Sequence, residues 1–387
     1  MAGRVLRRGV NKAPGEQDVD NVRFVGVGSF VPKRSISTER IAKAIPGWTA
    51  ERIVEKTGVK ERRFLWDFDD KTGNALPPPD NDGTIYPGGN ADMCEVALRQ
   101  ALSMSGLAAT DLDAIFLVTC TPDQLNFSHD AMELHRRLGC RESAYALVLD
   151  DGCGGTLYTI DMACKMIASG ALRTVAVIGS AFTSALLNRE VYTSELELEG
   201  GKSISAYLSM YVFGDGAGAV ILRGDRGAPE SAPTSGVIDS IAGTSHGELV
   251  LRRGGGNLKL NYQGRSKPVE NAFVVDGLRV AQTYPQYMKR CIDSVLQGQP
   301  HLGPEVKRYY FHQPNKRLMD HFVKRSGLPA DRVACHVDRH GNTSAAGMLI
   351  LLAEDLAEGR VALGRGDLVL LAAVGANIHW GAQLVRL

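Results

Sequence analysis

The sequence predicts a duplicated α/β fold, and three observations carry that expectation. Short apolar runs of strand length alternate with helical patterns along the chain, the signature of layered α and β structure. A strand–helix–strand–helix–strand order occurs twice, once in each half. The chain has 387 residues, 44% of them hydrophobic, which suits two domains or one large duplicated one with a full core.

Residues 1–21 are charged and almost without apolar periodicity, so they are expected to form a flexible lead-in. Order is expected from "VRFVGVGSFVP", a strand ending in Gly and Pro. The Pro-, Gly- and Asp-rich stretch 67–89 predicts an exposed loop or insertion, and "LELEGGKSISAY" and "RRGGGNLKLNYQGRSK" predict two more loops. The first repeat runs from "DAIFLVTCTPD" through a helix to "YALVLDDGCGG", then a helix and the strand "TVAVIGS". The second runs from "VKRYYFHQPN" through a helix to "VACHVDRHGNTSAAG", then a helix and the strand "DLVLLAAVG". Cys153 follows Pro122 by 31 residues and Asn342 follows Pro314 by 28. The halves 22–232 and 233–387 would therefore pack about a pseudo-twofold axis. Cys153 and Asn342 then fall at corresponding strand-to-helix turns, facing one cleft, with His312 at the end of a neighbouring strand where the first half has Thr121.

Bulk composition excludes several classes. A net charge of +1 gives no support for a nucleic-acid partner. Seven scattered cysteines without a CxxC pair suit a reducing compartment with free thiols, and neither a disulfide framework nor a zinc site is expected from them. The N-terminus lacks a signal-peptide core and no segment has the apolar length of a membrane span, so a soluble cytoplasmic protein is expected.

"DGCGG", "FGDGAGAVIL", "FHQPNKRL", "GNTSAAG" and "VGANIHWGAQLVRL", in that order, resemble the β-ketoacyl-acyl carrier protein synthase III family of the thiolase superfamily. Upstream, "IVEKTGVKERRF" and "VTCTPD" resemble its N-terminal landmarks, so the likeness runs from about residue 22 to the C-terminus. It implies a thiolase-like fold of duplicated α/β halves in a five-layered α-β-α-β-α arrangement, and a homodimer. It also implies a catalytic set of Cys153, His312 and Asn342, with an oxyanion hole from the backbone N–H groups of Cys153 and Ala376. No cofactor or metal is implied; the substrates are acyl-coenzyme A or acyl-carrier-protein thioesters. The residue types suit the chemistry. A thiolate is a strong nucleophile and good thioester leaving group, and a helix N-terminus is expected to lower its pKa. His and Asn can donate hydrogen bonds to a thioester oxygen while charge develops there.

A lone Cys after a strand is more often a small core residue, and only the matching contexts of His312 and Asn342 favour the functional reading. Cys120 and Cys164 lack such context and are expected to be packing. His340 is a candidate to line the cleft, with a loop-surface position equally open. "GDGAG" lacks the Walker lysine and reads as a tight turn, with Asp215 structural. The chain also departs from the family pattern. Asp150 and Asp151 precede the nucleophile; pointing inward they would raise the thiol pKa, and structural hydrogen bonds are expected instead. Arg52 stands where the family has an adenine-stacking tryptophan, and Lys56 near a family arginine; arginine can stack too. Asn315, Lys316 and Arg317, with Lys324 and Arg325, are candidates for a rim that binds coenzyme A or an acidic carrier protein, or for a plain solvated helix face. Unusual sequence at 67–89 and 188–210 points to an unusual substrate and hence to polyketide or other specialised metabolism.

Three functions remain in play. One is decarboxylative Claisen condensation through a Cys153 acyl intermediate. Another is acyl transfer to an O, N or S nucleophile with His312 as base, which an Asp at 342 would suit better than Asn. The third is a non-catalytic partner subunit, disfavoured because all three residues are present. Hydroxymethylglutaryl-coenzyme A synthase ranks low because Thr121 stands where its glutamate base is expected.

Overall fold

Two sheets, one built before residue 226 and one after residue 235, organise the molecule. The computed structural model describes residues 21–78, 88–197, 201, 203–206, 209, 212–225, 235–259, 264 and 266–387. The lead-in to residue 20 and the boundary expected at 232/233 lie outside them; residue 21, expected to be part of the lead-in, instead begins a strand.

The first half contains β1 (Asn21–Phe30), α1 (Asn90–Ser105), β2 (Ala114–Val118), α2 (Asp130–Leu138), β3 (Tyr145–Leu149), α3 (Gly155–Ala168), β4 (Thr174–Ala181) and β5 (Gly216–Asp225). The second contains β6 (Gly236–Thr244), α4 (Gly277–Leu296), β7 (Arg308–Phe311), α5 (Lys316–Ser326), α6 (Val337–His340), α7 (Gly347–Ala357), β8 (Leu368–Val374) and β9 (His379–Arg386). Strand order is β1-β5-β4-β2-β3 in the first sheet and β6-β9-β8-β7 in the second. Each sheet has two antiparallel pairings followed by a parallel one. Even a register shift recurs, between Phe24 and Gly26 in β1 and between Val237 and Asp239 in β6.

The repeat is imperfect at one place. The first sheet adds β3 parallel to β2. Its counterpart at "VACHVD" is a single bridge between Tyr309 and Val333, and the chain turns at once into the short helix α6. A strand of that length was expected from the sequence. His336 and Val337 instead donate their N–H groups to Gln313 Oε1, at 3.0 Å each, so the ladder stops.

Helices α3 and α7 each pack against both sheets and form the middle layer; α1 and α2 cover the outer face of the first sheet, and α4 that of the second. Between the sheets a helix has no solvent face, which is why α7 opens GMLILLA with Gly347–Ala353 buried throughout and only its last turn reaches solvent. Leu157, Ile160, Cys164 and Ile167 of α3 meet Met348, Leu349 and Leu352 of α7 in the central core. Each such side chain contributes roughly 1.5–3 kcal/mol on burial. Cys164 is thus a packing residue, as expected. The stretch 67–89 is not only loop: Asp67–Phe68 pairs with Ala75–Leu76, while 79–87 are outside the described residues. Likewise "LELEGGKSISAY" holds a small hairpin, Glu195–Glu197 with Ser203–Ser205. In the third expected loop, Asn257–Lys259 is a 3₁₀ turn, and 260–263 and 265 lie outside the described residues.

Candidate functional site

The chain leaves β3, passes Asp150-Asp151-Gly152, and enters α3 with Gly154 as its N-cap residue. Cys153 stands one residue before that cap and is 6% exposed. Gly154 and Gly375 are in close approach. A Cβ on Gly154 would lie 2.3 Å from the His379 carbonyl oxygen and 2.9 Å from Gly375 N. A Cβ on Gly375 would lie 2.3 Å from Gly154 N and 3.4 Å from the Cys153 carbonyl carbon. Only glycines let the 375–378 turn reach the nucleophile's backbone. Gly375 donates its N–H to the His379 carbonyl at 2.7 Å and Ile378 donates to the Gly375 carbonyl at 3.0 Å, which leaves the N–H groups of Ala376 and Asn377 without a carbonyl acceptor among the described residues.

Asn342 lies at the pseudo-equivalent turn, after α6, and is 5% exposed. Its backbone bridges to Phe213, donating to the Val212 carbonyl at 2.7 Å and accepting from Gly214 N at 3.1 Å. Ser344 N–H donates to Asn342 Oδ1 at 2.9 Å. That bond fixes the amide orientation, because the acceptor must be oxygen; Nδ2 is therefore the free donor. The Ser344 hydroxyl lies 3.6 Å from Cys153 Sγ. Ser344 thus joins the two turns, with its backbone on the amide and its side chain on the thiol. Its φ of +47° is strained for a residue with a Cβ, and this strained backbone sits at the meeting point of the two turns. The sequence reading passed over Ser344 although it lies inside the quoted "GNTSAAG".

His312 follows β7 directly and is 4% exposed. Its N–H donates to the Ala372 carbonyl at 3.0 Å, and its carbonyl accepts the Tyr284 hydroxyl at 2.7 Å. The imidazole makes no hydrogen bond to any described residue, Cys153 and Asn342 included, which leaves its ring nitrogens free. Burial pushes its pKa down to about 3, so the ring is neutral.

Burial also decides the thiol. The expected helix-dipole lowering does not win: Cys153 is pushed up to about 11 by desolvation, with Ser344 and its own N–H pulling the other way and Asp151 adding to the rise. The resting site is thiol and neutral imidazole. Asp151 makes structural bonds, as expected: Oδ1 accepts Gly152 N–H at 2.7 Å and Oδ2 pairs with His379 Nδ1. The His379 pKa is raised, chiefly by that hydrogen bond. Nothing in the local sequence pairs residues 151 and 379; the contact is purely tertiary.

The remaining candidate residues are placed as follows. Cys120 is not plain packing. It is half-buried, a Cβ on Gly152 would lie 3.3 Å from Ser344 Oγ and 3.9 Å from Cys120 Sγ, and the Cys120 thiol is pushed up to about 12, chiefly by desolvation and next by Cys153. His340 is neither at a loop surface nor in hydrogen-bond contact with the cleft residues; it is buried against His336. Asn315 is the N-cap of α5, its Oδ1 accepting Leu318 N–H at 2.9 Å. Arg52 lies in the helix Ala50–Thr57 with its guanidinium 4.4 Å above the Trp48 ring. Lys56 is exposed on the same helix, which packs beside α5; Lys316 pairs with Asp320, and Arg317 donates to the Glu55 carbonyl. Asp215 is a buried hub, accepting from Leu65 N, Thr183 N and Oγ1, and Ser184 N and Oγ.

Family models for 3-oxoacyl-[acyl-carrier-protein] synthase III match residues 149–241 and, for its C-terminal part, 303–387. A β-ketoacyl-[acyl-carrier-protein] synthase III from Rhodospirillum centenum is 30% identical over 380 residues, spanning 94% of this chain and 98% of its own. One from Acidiphilium cryptum is 29% identical over 361 residues, covering 93% and 98%. Among solved structures, 3-oxoacyl-[acyl-carrier-protein] synthase III from Aquifex aeolicus superposes with a TM-score of 0.72 at 26% identity, over 95% of this chain and all of the other. Xanthomonas campestris OleA gives 0.73 at 17% identity, covering 95% and 99%, a likeness of fold alone. No helix among the described residues is long and apolar enough to cross a membrane.

Proposed function

The chain belongs to the β-ketoacyl-[acyl-carrier-protein] synthase III family, an acyltransferase family of thiolase-type fold, and from that premise we propose that it forms a carbon–carbon bond by decarboxylative Claisen condensation through an acyl group carried on Cys153. One observation carries the proposal. Ser344 holds the Cys153 thiol and the Asn342 amide oxygen at the same time, so that Nδ2 is presented as a donor beside the nucleophile.

In the first half-reaction Sγ attacks the acyl carbonyl carbon. The N–H groups of Cys153 and Ala376 stabilise the oxyanion, the carbon–sulfur bond to the donor breaks, and the Cys153 proton ends on the departing thiol. In the second, a malonyl-type thioester enters. A neutral His312 N–H and Asn342 Nδ2 bind its thioester oxygen as carbon dioxide leaves with cleavage of the carbon–carbon bond. The enolate carbon then attacks the acyl-enzyme, and Cys153 departs as thiolate. Neutrality of His312 matters here, because a neutral ring is a donor that creates no ion pair needing release. Asn at 342 supports condensation over transfer to O, N or S nucleophiles, since an amide cannot take a proton from an acceptor.

Acyl-coenzyme A and acyl-carrier-protein thioesters are the proposed substrates. The Trp48–Arg52 stack, with Lys56, Lys316 and Arg317 on adjoining helices, supports a basic, flat-faced rim for a nucleotide or an acidic carrier. The edge strand β3 exposes Tyr145 and Leu147, which supports a homodimer made by edge pairing across a twofold axis. We assign 22–232 and 233–387 as the two halves, a cytoplasmic site of action, and a role in polyketide or other specialised metabolism; the last rests on Arg52 and on the unusual 67–89 and 188–210 segments. Intact-protein mass spectrometry with a panel of acyl-coenzyme A and acyl-carrier donors tests the reading: a mass gain of one acyl group is expected, abolished by Cys153→Ala. No gain from any donor would remove the acyl-enzyme and favour a partner role.

A further inference from the structure

His336, His340 and Glu354 form a cluster that the condensation chemistry does not use. His336 precedes α6 and His340 ends it, four residues on, so one helical turn stacks the imidazoles with ring centres 4.7 Å apart. Glu354 reaches them from α7. His340 Nδ1 is 3.6 Å from Glu354 Oε1, and His336 Nδ1 is 3.8 Å from Oε2. These gaps exceed the roughly 2.7–3.2 Å of a hydrogen bond. Both Nδ1 atoms are buried without any hydrogen-bond partner, His336 being 1% and His340 6% exposed. Two orphaned imidazole nitrogens aimed at one carboxylate are costly in a core unless something lies between them.

We propose that His336, His340 and Glu354 bind a divalent first-row transition ion of the zinc class, which clamps the Asn342 turn to α7. One donor atom from each residue can be chosen so that all three lie within 4.8 Å of one another. Ligands at about 2.1 Å from a tetrahedral zinc ion stand about 3.4 Å apart, close to the nitrogen–oxygen gaps seen. Two imidazoles and one carboxylate leave a fourth position for water or another donor. The two orphaned, buried Nδ1 atoms are the donors that such an ion takes from neutral imidazoles, with Arg339 and Arg63 nearby. Arg339 and Arg63 also oppose a further cation, and the Glu354 charge offsets them. The Glu354 side chain is 27% exposed, which provides an entry route. His340 lies two residues before Asn342, so the ion ties the turn presenting the amide to the middle-layer helix. This clamp stands independently of the condensation reading.

The test uses the full-length chain without a histidine tag, stripped with EDTA and dialysed against micromolar Zn²⁺. About one zinc per chain is expected, with a rise in melting midpoint of about 2 °C or more that EDTA reverses. Cys153→Ala should keep the ion, excluding capture by the nucleophile. His336→Asn and Glu354→Gln should each weaken binding at least tenfold while the metal-free proteins keep the wild-type circular dichroism. Co²⁺ loaded into the unaltered chain should show four-coordinate visible bands without thiolate charge transfer. No zinc bound at micromolar concentration, unchanged affinity in both ligand variants, or thiolate charge transfer with Co²⁺ would each overturn the proposal.

Discussion

Replacing Ser344 by Ala removes one hydroxyl and nothing else from the junction of the two turns. The Cβ stays, so the strain at φ +47° is common to both proteins. The hydroxyl lies 3.6 Å from Cys153 Sγ and is the largest influence lowering the thiol, which desolvation nevertheless pushes up to about 11. A hydrogen bond to a charged group contributes about 1.5–3 kcal/mol. At the weak end appropriate to sulfur, about 1.4 kcal/mol is lost, which is about one pKa unit. At pH 8 the thiolate fraction then falls about tenfold, from roughly one in a thousand to one in ten thousand. A more basic thiolate is intrinsically more nucleophilic, with a Brønsted slope of about 0.4–0.5, so the net rate falls about three- to fourfold. Iodoacetamide alkylation of the Cys153 peptide, followed by mass spectrometry between pH 7 and 9, measures this. Rates should rise about tenfold per pH unit in both proteins, with the variant displaced downward throughout. Ser344→Gly should show the same displacement and regain about 1 kcal/mol of stability from relief of the left-handed backbone. An unchanged or faster alkylation in Ser344→Ala refutes the assigned role of the hydroxyl.

Asn342→Asp keeps the acceptor for Ser344 N–H but loses the Nδ2 donor. Acylation of Cys153 should persist within a few-fold while single-turnover decarboxylation falls about 10²–10³-fold. Gly154→Ala places a Cβ 2.3 Å from the His379 carbonyl oxygen, and should displace the 375–378 turn and cut acylation by at least tenfold in a protein that still folds by circular dichroism. Asp151→Asn breaks the pair with His379, whose folded pKa is raised above its unfolded value. The stability owed to the pair is fully present below about pH 6.5 and lost as pH rises through the raised value. Melting midpoints of the two proteins should therefore differ most at acidic pH and converge above it.

The fold class was legible because layered structure and duplication leave local traces, an alternation of short apolar runs with helical patterns and an element order that occurs twice. The start of α3 after Cys153 and the turn before α7 were legible for the same reason. What escaped was tertiary. Ser344 and Cys153 are 191 residues apart, and Asp151 and His379 are 228 apart, so no local pattern announces either contact. The truncated strand at "VACHVD" escaped because its apolar residues fit a strand, while the Gln313 side chain that takes the His336 and Val337 N–H groups comes from 23 and 24 residues earlier. The thiol was misjudged because helix position is visible in sequence and desolvation is not. Likewise, His336 and His340 show the spacing of a helical pair, but Glu354 joins them only in the folded chain.

Stoichiometric carbon dioxide release tests the central claim most directly. The chain, first acylated and freed of donor, is mixed with malonyl thioester labelled at its free carboxylate. Labelled carbon dioxide and β-ketoacyl product should appear together, one of each per acyl group lost from Cys153. Loss of the acyl group to another acceptor without carbon dioxide, or β-ketoacyl product that still forms in Cys153→Ala, would contradict it.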